Sequence, residues 1–227
     1  MAQSVLIIAD SGTGKSTSIR NLNPDETFII NIANKPLPFK GWKTNYTLIS
    51  KENKKGNLAS ASSAAGIMKA ISHVDQNMTH IKTLVIDDWQ YMSSFEYFDR
   101  ANEKGYDKFT QIAANLAQVA KMPKDLRDDL TVIFLTHSED STDINGNRKI
   151  KAKTIGKMID NTLTLEGLFS IVLFGKVNKN DDGELEYGFE TQNNGENTCK
   201  SPQGMFEDFF IPNNLQYVKD CIKKYEE

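Results

Sequence analysis

The sequence predicts an α/β fold, a mostly parallel central sheet with helices on both faces. Three observations carry that prediction. Short apolar runs at 5–8, 27–32, 83–86 and 130–136 alternate with segments of helical period, as expected for strands buried on both sides. The first run, Val5-Leu6-Ile7-Ile8, passes directly into the Gly-containing stretch 9–17, and the third ends in Asp87-Asp88. Nothing repeats and no linker separates two cores, so residues 1–227 read as one domain.

The elements follow in order. After the first strand a helix is expected from Lys15 to about Leu22, stopped by Pro24. Thr27-Phe28-Ile29-Ile30-Asn31-Ile32 is a second strand, and Pro36 and Pro38 open an irregular stretch reaching Gly56. Ile67, Met68, Ile71, Val74 and Met78 recur at helical spacing and predict a helix over about 60–77. The third strand is Thr83-Leu84-Val85-Ile86. An aromatic-dense helical segment follows it, then a helix through Ile112, Leu116 and Val119 that ends before Pro123. Residues 130–136 form the fourth strand. Two runs flanking Asn180-Asp181-Asp182-Gly183 predict a C-terminal β-hairpin. Leu215, Val218 and Ile222 give the tail an amphipathic helix, expected on the sheet edge.

The chemistry concentrates at strand ends. Ala9-Asp10-Ser11-Gly12-Thr13-Gly14-Lys15-Ser16-Thr17 has the spacing of a Walker A phosphate loop, with Ala at its first position. Such a loop turns successive N–H groups inward around phosphates, so Ser11, Gly12, Thr13, Gly14, Lys15, Ser16 and Thr17 are the candidate nucleotide-binding residues. Lys15 is placed for the β- and γ-phosphates and Ser16 for Mg²⁺. Asp87, closing an apolar strand, is a Walker B carboxylate and the second candidate ligand of Mg²⁺. Asp88 is either the base that orients an attacking water or the N-cap of the next helix.

If the fourth strand inserts between the first and third, Thr136-His137 emerges beside the γ-phosphate. His137 is then a phosphate sensor; otherwise it merely ends a strand. Arg148, Lys149, Lys151, Lys153 and Lys157 put five cations and no acid into ten residues just beyond it. An extended basic loop there can track the backbone of single-stranded DNA, although a solvated lysine-rich face is the commoner fate of such a run. Trp89, Tyr91, Phe95, Tyr97, Phe98, Tyr106 and Phe109 crowd the segment after Asp88, and their spacing favours packing over base stacking.

Composition narrows the remaining classes. At 39% hydrophobic and 25% charged, with a net charge of −3, the chain is an ordinary globular one with no global attraction for nucleic acid. Cys199 and Cys221 have no ligand spacing with His73, His80 or His137, which argues against zinc and for reduced thiols in a cytoplasm. The opening apolar run is too short for a signal or membrane segment. Arginine is confined to Arg20, Arg100, Arg127 and Arg148, so the arginine-rich lid of a nucleoside kinase is not expected.

Beyond the Walker elements, several stretches together resemble the small phage-encoded RecA-like ATPases, the branch that includes Sak-type single-strand annealing proteins. They are 31–41 with Lys35-Pro36-Leu37-Pro38-Phe39-Lys40-Gly41, Gly105-Tyr106-Asp107-Lys108-Phe109, Leu135-Thr136-His137, and Lys200-Ser201-Pro202 with Gly204-Met205-Phe206. The resemblance spans nearly the whole chain. It implies a RecA-like P-loop core that binds ATP and Mg²⁺, self-associates into a ring or filament, and acts on single-stranded DNA with other recombination or replication proteins in a host cytoplasm. It also implies that Lys200 reaches a neighbouring subunit's phosphate. One departure stands out. RecA-type proteins carry a catalytic glutamate just after the second strand, where this chain offers Asn31 and Asn34. A nucleotide-gated loader or switch acting on a protein partner is the alternative reading.

Overall fold

The structure, a computed structural model, describes residues 1–142, 146–155 and 164–227. Among the described residues nine strands form the sheet: β1 (Gln3–Ala9), β2 (Thr27–Asn31), β3 (Leu58–Ala59), β4 (Thr83–Asp87), β5 (Thr131–Thr142), β6 (Arg148–Ala152), β7 (Ile171–Lys179), β8 (Leu185–Glu190) and β9 (Phe210–Pro212). Their order is β3-β2-β4-β5-β1-β7-β8-β9, with β6 attached to the outer half of β5. Pairing is parallel from β3 to β7 and antiparallel through β8 and β9.

The mostly parallel α/β class is therefore as expected. The insertion of β5 between β1 and the Asp87-bearing β4 is as expected too. The two-residue β3 is additional and makes the Asp87 strand fourth in chain order.

Strand alternation divides the apolar side chains cleanly. Leu6, Ile8, Phe28, Ile30, Leu84, Ile86, Val132, Phe134, Val172 and Phe174 join one core. Val5, Ile7, Ile29, Val85, Ile133, Leu135, Ile171 and Leu173 join the other. These strands are buried on both faces, which requires helices above and below.

The first core is covered by α2 (Ala64–Asn77), α3 (Tyr91–Asp99) and α4 (Asp107–Lys121), the short α1 (Trp42–Asn45) lying on the second core's side. In α2, Ser63 caps the N-terminus by accepting from the Gly66 N–H at 3.2 Å, while Ile67, Ile71 and Val74 face inward at helical spacing. Each such side chain, fully buried, contributes roughly 1.5–3 kcal/mol of apolar transfer.

The second core departs from expectation. The segment after the phosphate loop is a 3₁₀ helix, Ser16–Asn21, where an α-helix to Leu22 was expected. The Ser18 hydroxyl donates to the Lys15 carbonyl at 2.5 Å, competing with the α-helical ladder. Asn23 and Pro24 then close the segment within a turn. Against it packs α5 (Leu215–Glu226), whose Leu215, Val218 and Ile222 are buried in this second core, with Asn214 capping the Gln216 and Tyr217 N–H groups.

Beyond the sheet body, β5 continues as a two-stranded ribbon with β6, from Ser138 opposite Ala152 to Thr142 opposite Arg148. The turn expected at Asn145-Gly146 lies partly outside the described residues; Gly146 itself has φ +83°. The second hairpin, β7–β8, turns through Gly183 at φ +79°.

Candidate nucleotide site

β1, β4 and β5 are parallel neighbours, so their C-terminal ends open on one crevice, where parallel sheets hold ligands. From β1 the chain turns through Gly12 and Gly14, both left-handed at φ +83° and +84°. A Cβ on Gly14 would lie 3.2 Å from both the Tyr187 ring and the Asn213 carboxamide. The cradle therefore needs glycine there for backbone and space alike.

Ser11, Gly12, Gly14, Lys15, Ser16 and Thr17 line a crevice of about 480 Å³ together with Arg20, Lys35, Asp88, Tyr91, His137, Tyr187 and Asn213. Thr13 is turned away, its hydroxyl donating to the Asp10 carbonyl at 2.8 Å. With only a 3₁₀ turn behind the loop, the loop's own N–H groups and Lys15 supply most of the attraction for anions.

Ser16 Oγ donates to Asp87 Oδ1 at 2.9 Å, joining the two Walker elements. Burial, and secondarily the charge of Asp88, push the Asp87 carboxyl up to about 6. Hydroxyl plus carboxylate is a hard, all-oxygen donor pair, suited to Mg²⁺ once phosphate oxygens and water complete the shell. Among the described residues no three His, Cys, Asp or Glu side chains gather to hold a metal ion by themselves.

Asp88 sits at the centre of the charge. Its backbone is left-handed at φ +59°, a conformation Asp tolerates better than most residues, and its side chain is 3% exposed. Around the carboxylate stand Lys35 Nζ at 2.5 Å, His137 Nε2 at 3.4 Å and Lys15 Nζ at 3.7 Å. Burial alone would raise its pKa. Hydrogen bonds from His137 and Lys35 and the charges of both lysines outweigh burial and hold it well below the usual carboxylate range. Burial pulls the Lys15 ammonium down, partly offset by Asp88 and Asp87. The N-cap alternative for Asp88 is not what the structure has: its carbonyl accepts the Tyr91 N–H, and no side chain caps α3.

His137 joins the crevice to the ribbon. Its N–H and the Thr136 hydroxyl both donate to Gln90 Oε1, at 3.1 and 3.2 Å, while its carbonyl accepts the Lys153 N–H at 2.8 Å. The next residue, Ser138, is hydrogen-bonded to Asp10 of the phosphate loop.

The remaining sequence-derived residues are dispersed. Arg148 pairs with Asp140 at 2.9 Å and Lys151 with Glu139 at 3.2 Å, while Lys149 Nζ donates to the Gly195 carbonyl at 2.8 Å. Lys153 is exposed, and Lys157 lies outside the described residues. Lys200 does not line the crevice; its backbone pairs with Val172 at 2.8 and 3.0 Å. Trp89 is a core residue, as its spacing predicts, and Met92 is buried with it, whereas Phe98 and Tyr106 are 70% and 79% exposed.

Sequence reasoning missed Lys35, Gln90, Arg20, Tyr187 and Asn213. Arg20 alone had a local signal, following Ser16 by one helical turn.

A protein-family profile described as AAA domain matches residues 1–203, the stretch that holds both Walker elements, His137 and the ribbon. The chain belongs to this AAA domain family. Fold and match together make it a P-loop ATPase-type domain, a class that points to nucleotide binding. A search of curated proteins returns no match. The matched AAA domain stops short of Asn213, which nonetheless donates to the Gly14 carbonyl at 3.2 Å and accepts from Arg20 at 3.0 Å. No helix among the described residues is long and apolar enough to cross a membrane.

Proposed function

We propose that this protein is a Mg-ATP-binding ATPase of RecA-like type that uses nucleotide state to set the position of the β5–β6 ribbon against single-stranded DNA, in recombination or strand annealing. The observation that carries the reading is His137. One residue touches Asp88 with its ring and anchors the ribbon with its backbone carbonyl, so a change at the phosphate end of the crevice reaches the ribbon through a single side chain.

In this reading Lys15 binds the β- and γ-phosphates and residues 11–17 wrap them with backbone N–H groups. Ser16 and Asp87 would hold Mg²⁺, whose contribution is to neutralise charge on the β- and γ-oxygens. Asp88 orients the attacking water and His137 senses the terminal phosphate. Arg148, Lys149, Lys151, Lys153 and Lys157 contact the strand. Lys200 serves a neighbouring subunit in a ring or filament. The resemblance to the phage RecA-like branch supports the DNA and assembly parts.

A second reading, a nucleotide-gated switch for a protein partner, is favoured by the ribbon's own charges. Glu139 and Asp140 neutralise Lys151 and Arg148 across the strands, leaving a mixed and not a uniformly basic face.

The deciding experiment measures Mg²⁺-dependent ATP hydrolysis and oligonucleotide binding with and without a non-hydrolysable ATP analogue. Wild type should hydrolyse ATP and bind single strands more tightly with the analogue. Lys15→Ala, folded by circular dichroism, should show no measurable hydrolysis. His137→Ala should make oligonucleotide affinity indifferent to nucleotide. Hydrolysis near the wild-type rate in Lys15→Ala removes the active-site assignment, and hydrolysis without any oligonucleotide binding selects the protein-partner reading.

A further inference from the structure

Lys35 makes the shortest ion pair to Asp88, and it is built unlike the other two partners. Lys15 is nearly buried and fixed by the phosphate loop; His137 is fixed by β5. Lys35 is exposed over 58% of its side chain, yet its backbone is clamped. The Asn31 carboxamide donates to the Lys35 carbonyl at 2.6 Å and accepts its N–H at 3.3 Å, across a turn in which Asn34 is left-handed at φ +51°. A rigid backbone thus presents a long, free stem at the crevice rim. Its ammonium rests on Asp88 and lies 5.4 Å from the Tyr91 ring centre, which offers a second cation-binding face.

When Lys35 leaves, Asp88 keeps two other partners, Lys15 at 3.7 Å and His137 at 3.4 Å. The Lys35 ammonium lines the crevice at its rim, where a terminal phosphate would arrive. A triphosphate brings a stronger, multiply charged acceptor to the same rim, and a lysine follows the larger charge. A diphosphate leaves the pair on Asp88 intact.

We propose that Lys35 reads the γ-phosphate, exchanging Asp88 for the terminal phosphate of a bound nucleoside triphosphate and so uncovering Asp88 only when the triphosphate is present. The inference rests on the nucleotide-binding reading above and adds to it a residue that separates triphosphate from diphosphate. Asn31, the last residue of β2, is then a positioning residue acting through Lys35.

The test is the ratio of affinities for fluorescent ATP and ADP analogues, with Mg²⁺, in wild type and variants. Lys35→Ala should lose roughly tenfold or more in triphosphate affinity, the value of one charge-assisted contact, with less than a twofold change for the diphosphate. Lys35→Arg should recover part of the preference. Lys35 also screens Asp88 from an incoming anion, so the same substitution is made in an Asp88→Asn background. Direct contact predicts the same selective loss there, whereas screening alone predicts none. If Lys35→Ala fails to fold, Lys35→Gln carries the same comparison. An unchanged affinity ratio, an equal loss for both nucleotides, or a loss that vanishes with Asp88→Asn overturns the proposal while leaving nucleotide binding intact. A wild-type protein that binds neither analogue overturns the underlying reading, and this inference with it.

Discussion

At the scale of single residues, two adjacent carboxylates have been given different surroundings and therefore different work. Asp87 is buried and accepts one hydroxyl hydrogen bond, whereas Asp88 is faced by Lys15, Lys35 and the His137 ring. Asp87→Asn should weaken Mg²⁺-dependent nucleotide binding, because it removes charge from a hard-cation donor pair. Asp88→Asn should leave nucleotide affinity within a few-fold of wild type and slow turnover by about 10²–10⁴, the range of a lost general base. Titrations of nucleotide binding with and without Mg²⁺, beside steady-state rates, check both; normal turnover in Asp88→Asn would reverse the assignment. Lys15, Ser16, Asp87 and Asp88 were legible in the sequence because each belongs to a short pattern tied to a strand end. Lys35 and Gln90 were not. Lys35 meets Asp88 only because β2 and β4 are neighbours, and Gln90 meets His137 only because β5 lies beside β4. Those are facts of sheet order, and no local spacing encodes them.

At the scale of elements, the sheet could be read off almost strand by strand, because doubly buried strands leave continuous apolar runs. What failed were the short pieces. A 3₁₀ helix stands after the phosphate loop where an α-helix was predicted, and β3 is too short to carry a pattern. The basic run was visible, but its cross-strand acids were not weighed, since Glu139 and Asp140 precede it by about ten positions and meet it only by the ribbon register. That register gives a test. If the ribbon tracks a single strand, Asp140→Asn frees Arg148 for phosphate and should steepen the log–log salt dependence of binding by up to about 0.7. Replacing Lys149, Lys151 and Lys153 by Ala should flatten it by about 2. A slope indifferent to both changes would make the ribbon a protein-facing element.

At the scale of the whole molecule, the segment beyond the matched domain reaches the crevice through Asn213, just before the C-terminal helix. The helix itself, α5, supplies Leu215, Val218 and Ile222 to the second core, beside the 3₁₀ segment. Just before it, Asn213 fastens that core to the crevice through Arg20 and the Gly14 carbonyl. Stability and nucleotide affinity should therefore respond separately to two substitutions a short distance apart. Leu215→Ala removes a fully buried side chain and should cost about 2–5 kcal/mol, with the melting temperature falling by roughly 2–4 °C for each kcal/mol. With folding verified below the transition, its nucleotide affinity should stay near wild type, because no lining atom is lost. Asn213→Ala removes little apolar area but leaves the Arg20 guanidinium without its side-chain acceptor and the Gly14 carbonyl with the Ser18 N–H as its remaining donor. It should weaken nucleotide binding by several-fold while moving the melting temperature less than Leu215→Ala does. Thermal melts run with and without nucleotide measure both quantities at once. If Asn213→Ala lowers the melting temperature as far as Leu215→Ala and leaves the nucleotide-induced rise unchanged, the tail is only a cover for the sheet.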